Sequence, residues 1–71
     1  MSYDYSKLLG KIKEKYKNQE EFAKALNISR ASLSAKLNCK RDFSQDEINE
    51  AVELLGIQKI DIPDYFFTLI V

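Results

Sequence analysis

A joint of only three residues, Asn27-Ile28-Ser29, separates two stretches of helical character. Helices joined that closely must cross steeply, and their backbones need a small residue where they approach. Ala23, four positions before the joint, is that residue. The chain must also turn through a left-handed conformation, which asparagine tolerates better than most other non-glycine side chains. Asn27 occupies that place. Ile28 is positioned to plug the space between the helices, and Leu33 to pack back from the second one.

Small residue, left-handed residue, plug and anchor in this order predict a helix-turn-helix whose second helix, about residues 30–37, is presented outward. Around it, Tyr5, Leu8, Leu9, Ile12 and Tyr16 recur at three- and four-residue spacing and predict a first helix capped by Asp4. Asn18 with Glu21 has the form of a capping box that opens the second helix, and Ser29 caps the third. Ser44 with Glu47 forms another box. It opens a fourth helix with Ile48, Ala51, Val52 and Leu55 on its core face, and Gly56 stops it. Pro63 bars a continuous helix, and the aromatic and β-branched run from Phe66 to Val71 predicts a strand. The 71 residues, 45% of them hydrophobic, supply one small core. The expected fold is mainly α, with four to five short helices around a central helix-turn-helix and a C-terminal β-strand. A single domain is expected to span residues 1–71.

Net charge is zero, but its distribution is uneven. Residues 7–41 carry ten basic and three acidic side chains, a net +7, whereas residues 42–71 carry a net −6. A basic surface for a polyanion and an acidic surface facing elsewhere are expected. Lysines that merely solvate an exposed face are the alternative. With no histidine and a single cysteine, no catalytic base, nucleophile, disulfide or multi-cysteine metal site is in view, and no enzyme, cofactor or small-molecule ligand is expected. Cys39 reads as a small filler rather than a redox switch. The start of the chain lacks the basic-then-apolar pattern of a signal peptide. The longest nearly apolar run, Tyr65 to Val71, is too short for a bilayer. A cytoplasmic location in a bacterial host cell and no membrane partner are expected.

Residues 19–41 resemble the helix-turn-helix of small phage regulators of the Cro and lambda-type repressor superfamily. The resemblance is carried by Gln19, Phe22, Ala23, Leu26, Asn27, Ile28, Ser29, Leu33, Ser34 and Asn38. The segments Lys36–Phe43 and Ile62–Phe67 are similar to those of Cro-like proteins of Gram-positive phages. The resemblance implies a lambda-repressor-like DNA-binding domain, with base or backbone contacts at Ser29, Arg30, Ala31, Ser34 and Ala35. It also implies a phosphate contact at Gln19, at the start of the second helix. Two departures stand out. Lys36 occupies a position that is often apolar, so Leu37 is expected to make that contact. Cys39 follows Asn38 where glycine is common, so Asn38 is expected to take the left-handed conformation.

With Leu33 and Leu37 turned inward, the opposite face of the third helix holds Ala31, Ser34, Ala35 and Asn38. These small side chains suit a helix lying deep in a major groove, where alanine can touch a thymine methyl and serine can make one hydrogen bond. Arg30 is the only long donor at that helix's N-terminal end and is expected to reach a guanine or a nearby phosphate. Lys36, Asn38, Lys40 and Arg41 flank the helix and are expected to hold the phosphate backbone. The blander alternative makes all of these solvent-facing positions on a structural helix. Tyr3, Tyr5 and Tyr16 read as core or rim rather than base-stacking residues. The tail, Tyr65, Phe66, Phe67, Leu69, Ile70 and Val71, is expected to pair across a two-fold axis as a dimerisation strand. The alternative is that it folds back over its own helices as a lid. The functional expectation is a homodimeric Cro-type phage repressor that binds a palindromic operator in double-stranded DNA. The other reading is a protein-interaction module, antirepressor- or antitoxin-like, built on the same fold.

Overall fold

The computed structural model describes residues 2–70. Helix α1 spans Ser6–Lys15, α2 Gln19–Ala25, α3 Arg30–Leu37 and α4 Gln45–Leu55. A 3-10 turn at Lys59–Asp61 then runs into a short α5, Ile62–Phe66. The expected capping chemistry starts three of these helices. Asn18, Ser29 and Ser44 accept the backbone N–H groups of Glu21, Ser32 and Glu47, respectively, each three residues on. At α4 the Glu47 carboxylate also accepts the Ser44 N–H, which completes the box. Asp4 works from one residue farther out than expected: its carboxylate accepts the Ser6 N–H while Tyr5 occupies the cap position.

One device ends three helices in succession. After α2, Asn27 turns to φ 61°, and the N–H groups of Asn27 and Ile28 return to the carbonyls of Lys24 and Ala23 at 3.1 and 3.0 Å. After α3, Cys39 turns to φ 61°, and Cys39 and Lys40 return to Lys36 and Ala35 at 3.1 and 2.8 Å. After α4, Gly56 turns to φ 67°, and Gly56 and Ile57 return to Glu53 and Val52 at 3.3 and 3.0 Å. This paired closure satisfies carbonyls that the helix end would otherwise leave open. The left-handed residue after α3 is thus Cys39, not Asn38, which stays at φ −95°. Asn38 instead donates its side-chain amide to the Ser34 carbonyl. The Cys39 thiol is tied to the N-terminal arm. It accepts the Tyr3 N–H and donates to the Tyr3 carbonyl, both at 3.3 Å. These contacts offset the strain of a non-glycine residue in that region.

The core gathers Leu8 and Ile12 of α1, Phe22 and Ala23 of α2, Leu33 of α3, Ala51 and Leu55 of α4, and Phe66 of α5. Tyr5, Leu26 and Ile57 join it from the connecting segments. Leu33, Ala51 and Leu55 are wholly inaccessible. Aromatic rings extend the core toward the chain ends. Tyr5 meets Phe43, and Phe43 meets Phe66, edge to face with centroids 5.5 Å apart in both pairs.

The tail departs from expectation. Tyr65 and Phe66 lie in α5, with Pro63 in its first turn, where the missing N–H is no loss. Phe66 is a core residue, so it is unavailable to a partner chain. Among the described residues only Leu69 makes a β-type contact, a single antiparallel bridge to Tyr3. Asp4 N–H donates to the Thr68 carbonyl at 2.7 Å, and Ile70 N–H to the Ser2 carbonyl at 3.1 Å. There is no C-terminal strand among the described residues. The edge offered by residues 68–70 is taken on one side by the chain's own N-terminus. Phe67, Leu69 and Ile70 remain 50%, 47% and 60% exposed, whereas Val71 lies outside the described residues. No helix is long and apolar enough to cross a membrane among the described residues.

The anchor of α3 sets the stability of this arrangement. Leu33→Ala is expected to lower the unfolding free energy by about 2–5 kcal/mol, because a fully enclosed side chain leaves a cavity. Chemical denaturation followed by circular dichroism measures the loss.

Candidate nucleic-acid interface

Helix α2 and the three-residue joint set the direction of α3. Ala23 is buried where the two helices approach, and half-buried Ile28 packs against the core between them. With Leu33 enclosed, the far side of α3 turns to solvent. Ala31 and Asn38 are exposed, and Ser34 and Ala35 are half-buried. At about 100° per residue these four positions fall on one face.

Polar groups frame it. Ser29 is exposed; its hydroxyl oxygen caps α3 by accepting one N–H, which leaves its O–H and a second lone pair free to face outward. Arg30, the first residue of α3, and Lys40, beyond its end, are exposed and have no acidic partner among the described residues. Arg41 is also exposed and donates weakly to the Ser32 hydroxyl at 3.4 Å, which lays its guanidinium along α3. Gln19, the first residue of α2, is half-buried beside a shallow cleft shared with Leu9, Lys13 and Lys17. Its amide has no partner among the described residues. Of the α1 lysines, Lys13 shares that cleft, Lys11 pairs with Glu14 at 3.8 Å, and Lys7 is engaged by α5. Lys7 pairs with Asp64 at 3.8 Å and sits 4.9 Å above the Tyr65 ring.

Lys36 does not belong to the interface. It is 7% exposed and lies inside. Its ammonium donates to both carboxylate oxygens of Glu47 on α4. On the helix circle Lys36 lies about 60° from Leu33, within the inward sector that Leu37 enters from the other side. This inward position is filled by a lysine stem with a paired head. Leu37 is half-buried and accompanies that contact rather than replacing it. Glu47 thus serves three groups, the Ser44 N–H, the Ser44 hydroxyl and Lys36, of which the sequence reading anticipated only the cap. A lysine one turn from a core leucine, with the capping-box glutamate eleven residues on, is the signal that could have found it.

Burial alone would raise the Glu47 pKa. Hydrogen bonds from Lys36 and from the Ser44 backbone, together with the Lys36 charge, outweigh burial and hold Glu47 below the ordinary 4.5.

Residues 1–69 match a family described as a protein of unknown function, DUF739. The chain belongs to the DUF739 family. It is also similar to a solved structure, the modulator of repression of the temperate bacteriophage TP901-1 from Lactococcus lactis. The two are 52% identical and superpose with a TM-score of 0.81, covering 94% of this chain and 90% of the other. No curated protein matches the chain.

The depressed Glu47 pKa fixes the sign of a pH effect. The pair contributes stability above the ordinary carboxylate value, and that contribution disappears as pH falls through the folded value. Lys36→Met is expected to cost about 1–3 kcal/mol at neutral pH, because Glu47 keeps its charge and loses its strongest donor. It is also expected to reduce the acid-side slope of stability. Denaturant titrations of both proteins at a series of pH values between neutral and acid test this.

Proposed function

We propose that this DUF739 protein regulates phage repression and that α3 is a recognition helix entering the major groove of duplex DNA. In this reading α2, the joint at Asn27-Ile28-Ser29 and α3 form a helix-turn-helix. The observation that carries it is the small-residue face of α3, with Ala31 exposed and Ser34 and Ala35 partly accessible, flanked by Arg30, Lys40 and Arg41 without acidic partners among the described residues. Such a face admits close approach to base edges while the flanking cations and Gln19 hold phosphates. The similarity to a phage modulator of repression supports a regulatory role in phage repression. A pair of such units on one operator needs half-sites about 34 Å apart. Of the tail, the exposed Leu69 and Ile70 are available to join two copies.

A second reading has its own support. Net charge is zero, and Glu47 neutralises one of the cations near α3. The similar protein is described by what it does to repression. An interaction module that uses the α3 face to engage a repressor protein fits both facts.

Selection of bound sequences from random duplex DNA separates the two. The DNA reading predicts an enriched palindrome and, for a dimer, log affinity falling with log salt at a slope of about −5 to −9. Arg30→Ala is expected to cost about 1–3 kcal/mol on the selected site and less on random DNA. Weak, salt-insensitive DNA binding without enrichment, beside a stable complex with the cognate repressor, would replace this reading with the second.

A further inference from the structure

Five aromatic rings converge where the chain ends meet the loop between α3 and α4. Phe67 stands edge-on to Tyr3 at 6.2 Å, Tyr3 tilts against Tyr5 at 6.1 Å, and the series continues through Phe43 to Phe66. With Asp42 and Ile48 they line an open cleft of about 270 Å³. None of its lining residues belongs to α2 or α3, so this surface is separate from the candidate DNA face.

Three features of the cleft are unpartnered. Asp42 is exposed at its rim and has no cation within ion-pairing distance among the described residues. The Tyr5 side chain is enclosed, with the residue only 7% exposed, yet its hydroxyl has no hydrogen-bond partner among the described residues. That hydroxyl is not cut off from solvent, since no buried side-chain polar atom is left unpaired among the described residues, and Tyr5 lines the cleft. Half of Phe67 is uncovered. Burial first, then neighbouring groups that include Asp42, raise the Tyr5 pKa above 10.0, so the hydroxyl remains protonated and neutral.

We propose that this cleft receives an arginine side chain of a partner protein, with the guanidinium stacked on the rings and donating to Asp42 and to the Tyr5 oxygen. The chemistry selects this occupant. Aromatic faces attract cations, and a carboxylate at the rim supplies the opposite charge. A planar guanidinium can stack and donate in its plane at once, which an ammonium cannot. The cleft lies below the usual range for small-molecule sites, about 300–1,000 Å³, and suits one side chain. Among the described residues no basic group lines it, which disfavours a phosphate or nucleic acid.

The proposal is independent of whether α3 binds DNA, and its test uses the full chain without DNA. N-acetyl-arginine amide is titrated into isotope-labelled protein and followed by NMR. The citrulline analogue serves as a neutral isostere and the lysine analogue as a point charge. The expected result is saturable shifts confined to Tyr3, Tyr5, Asp42, Phe43 and Phe67, strongest for arginine and absent for citrulline. Asp42→Asn, an exposed change that leaves the core intact, is expected to weaken arginine binding by about threefold or more, and Tyr5→Phe to weaken it less. Equal shifts with citrulline, shifts scattered over the surface, preference for lysine, or unchanged affinity in Asp42→Asn would each overturn the proposal.

Discussion

The left-handed turn at Asn27 is the constraint from which the rest of the α2–α3 unit follows. It ends α2 abruptly, closes two backbone hydrogen bonds onto Ala23 and Lys24, and delivers Ser29 to cap α3. With the joint so short, the direction of α3 is no longer free. Leu33 then falls into the core, and the opposite face must look outward. The candidate interface is therefore a consequence of backbone geometry more than of any one surface side chain.

The same closure recurs after α3 and α4, but with different residues in the critical place. Gly56 takes a positive φ without steric cost, and asparagine tolerates it. Cys39 has neither advantage, and its thiol is bound to both backbone groups of Tyr3. The exit of α3 is thus fastened to the N-terminal arm, which in turn pairs with the C-terminal tail. The Lys36–Glu47 pair adds a second fastening, from α3 to α4. Helix α3 is held at its start by a cap, at its middle by Leu33 and Lys36, and at its end by Cys39.

Much of this was legible in the sequence because the signals were local. Asn27, Ser29, the Ser44–Glu47 box and Gly56 act within four residues of themselves, and short-range spacing reveals them. Three features were not. Lys36 reads as a surface cation because its charge, not its place on the helix circle, draws attention, and its partner belongs to another helix. Cys39 takes the left-handed turn through a contact with Tyr3, thirty-six residues away in sequence. The tail has strand-like composition, yet Phe66 has a core to fill, and that tertiary demand converts its surroundings to helix. Among the candidate interface residues, Arg30, Ala31, Asn38, Lys40 and Arg41 are exposed, and Ser34 and Ala35 are half-buried. Gln19 and Ser29 sit at the helix starts expected of them.

The central claim is that the outward side of α3 meets duplex DNA. Backbone amide shifts of the labelled full chain, mapped on addition of a duplex recovered by selection, address it most directly. The claim predicts saturating changes at Gln19 and from Ser29 to Ala35, with the Tyr5–Phe43 cleft little affected. Changes confined to the cleft and the tail, with α3 silent, would contradict it.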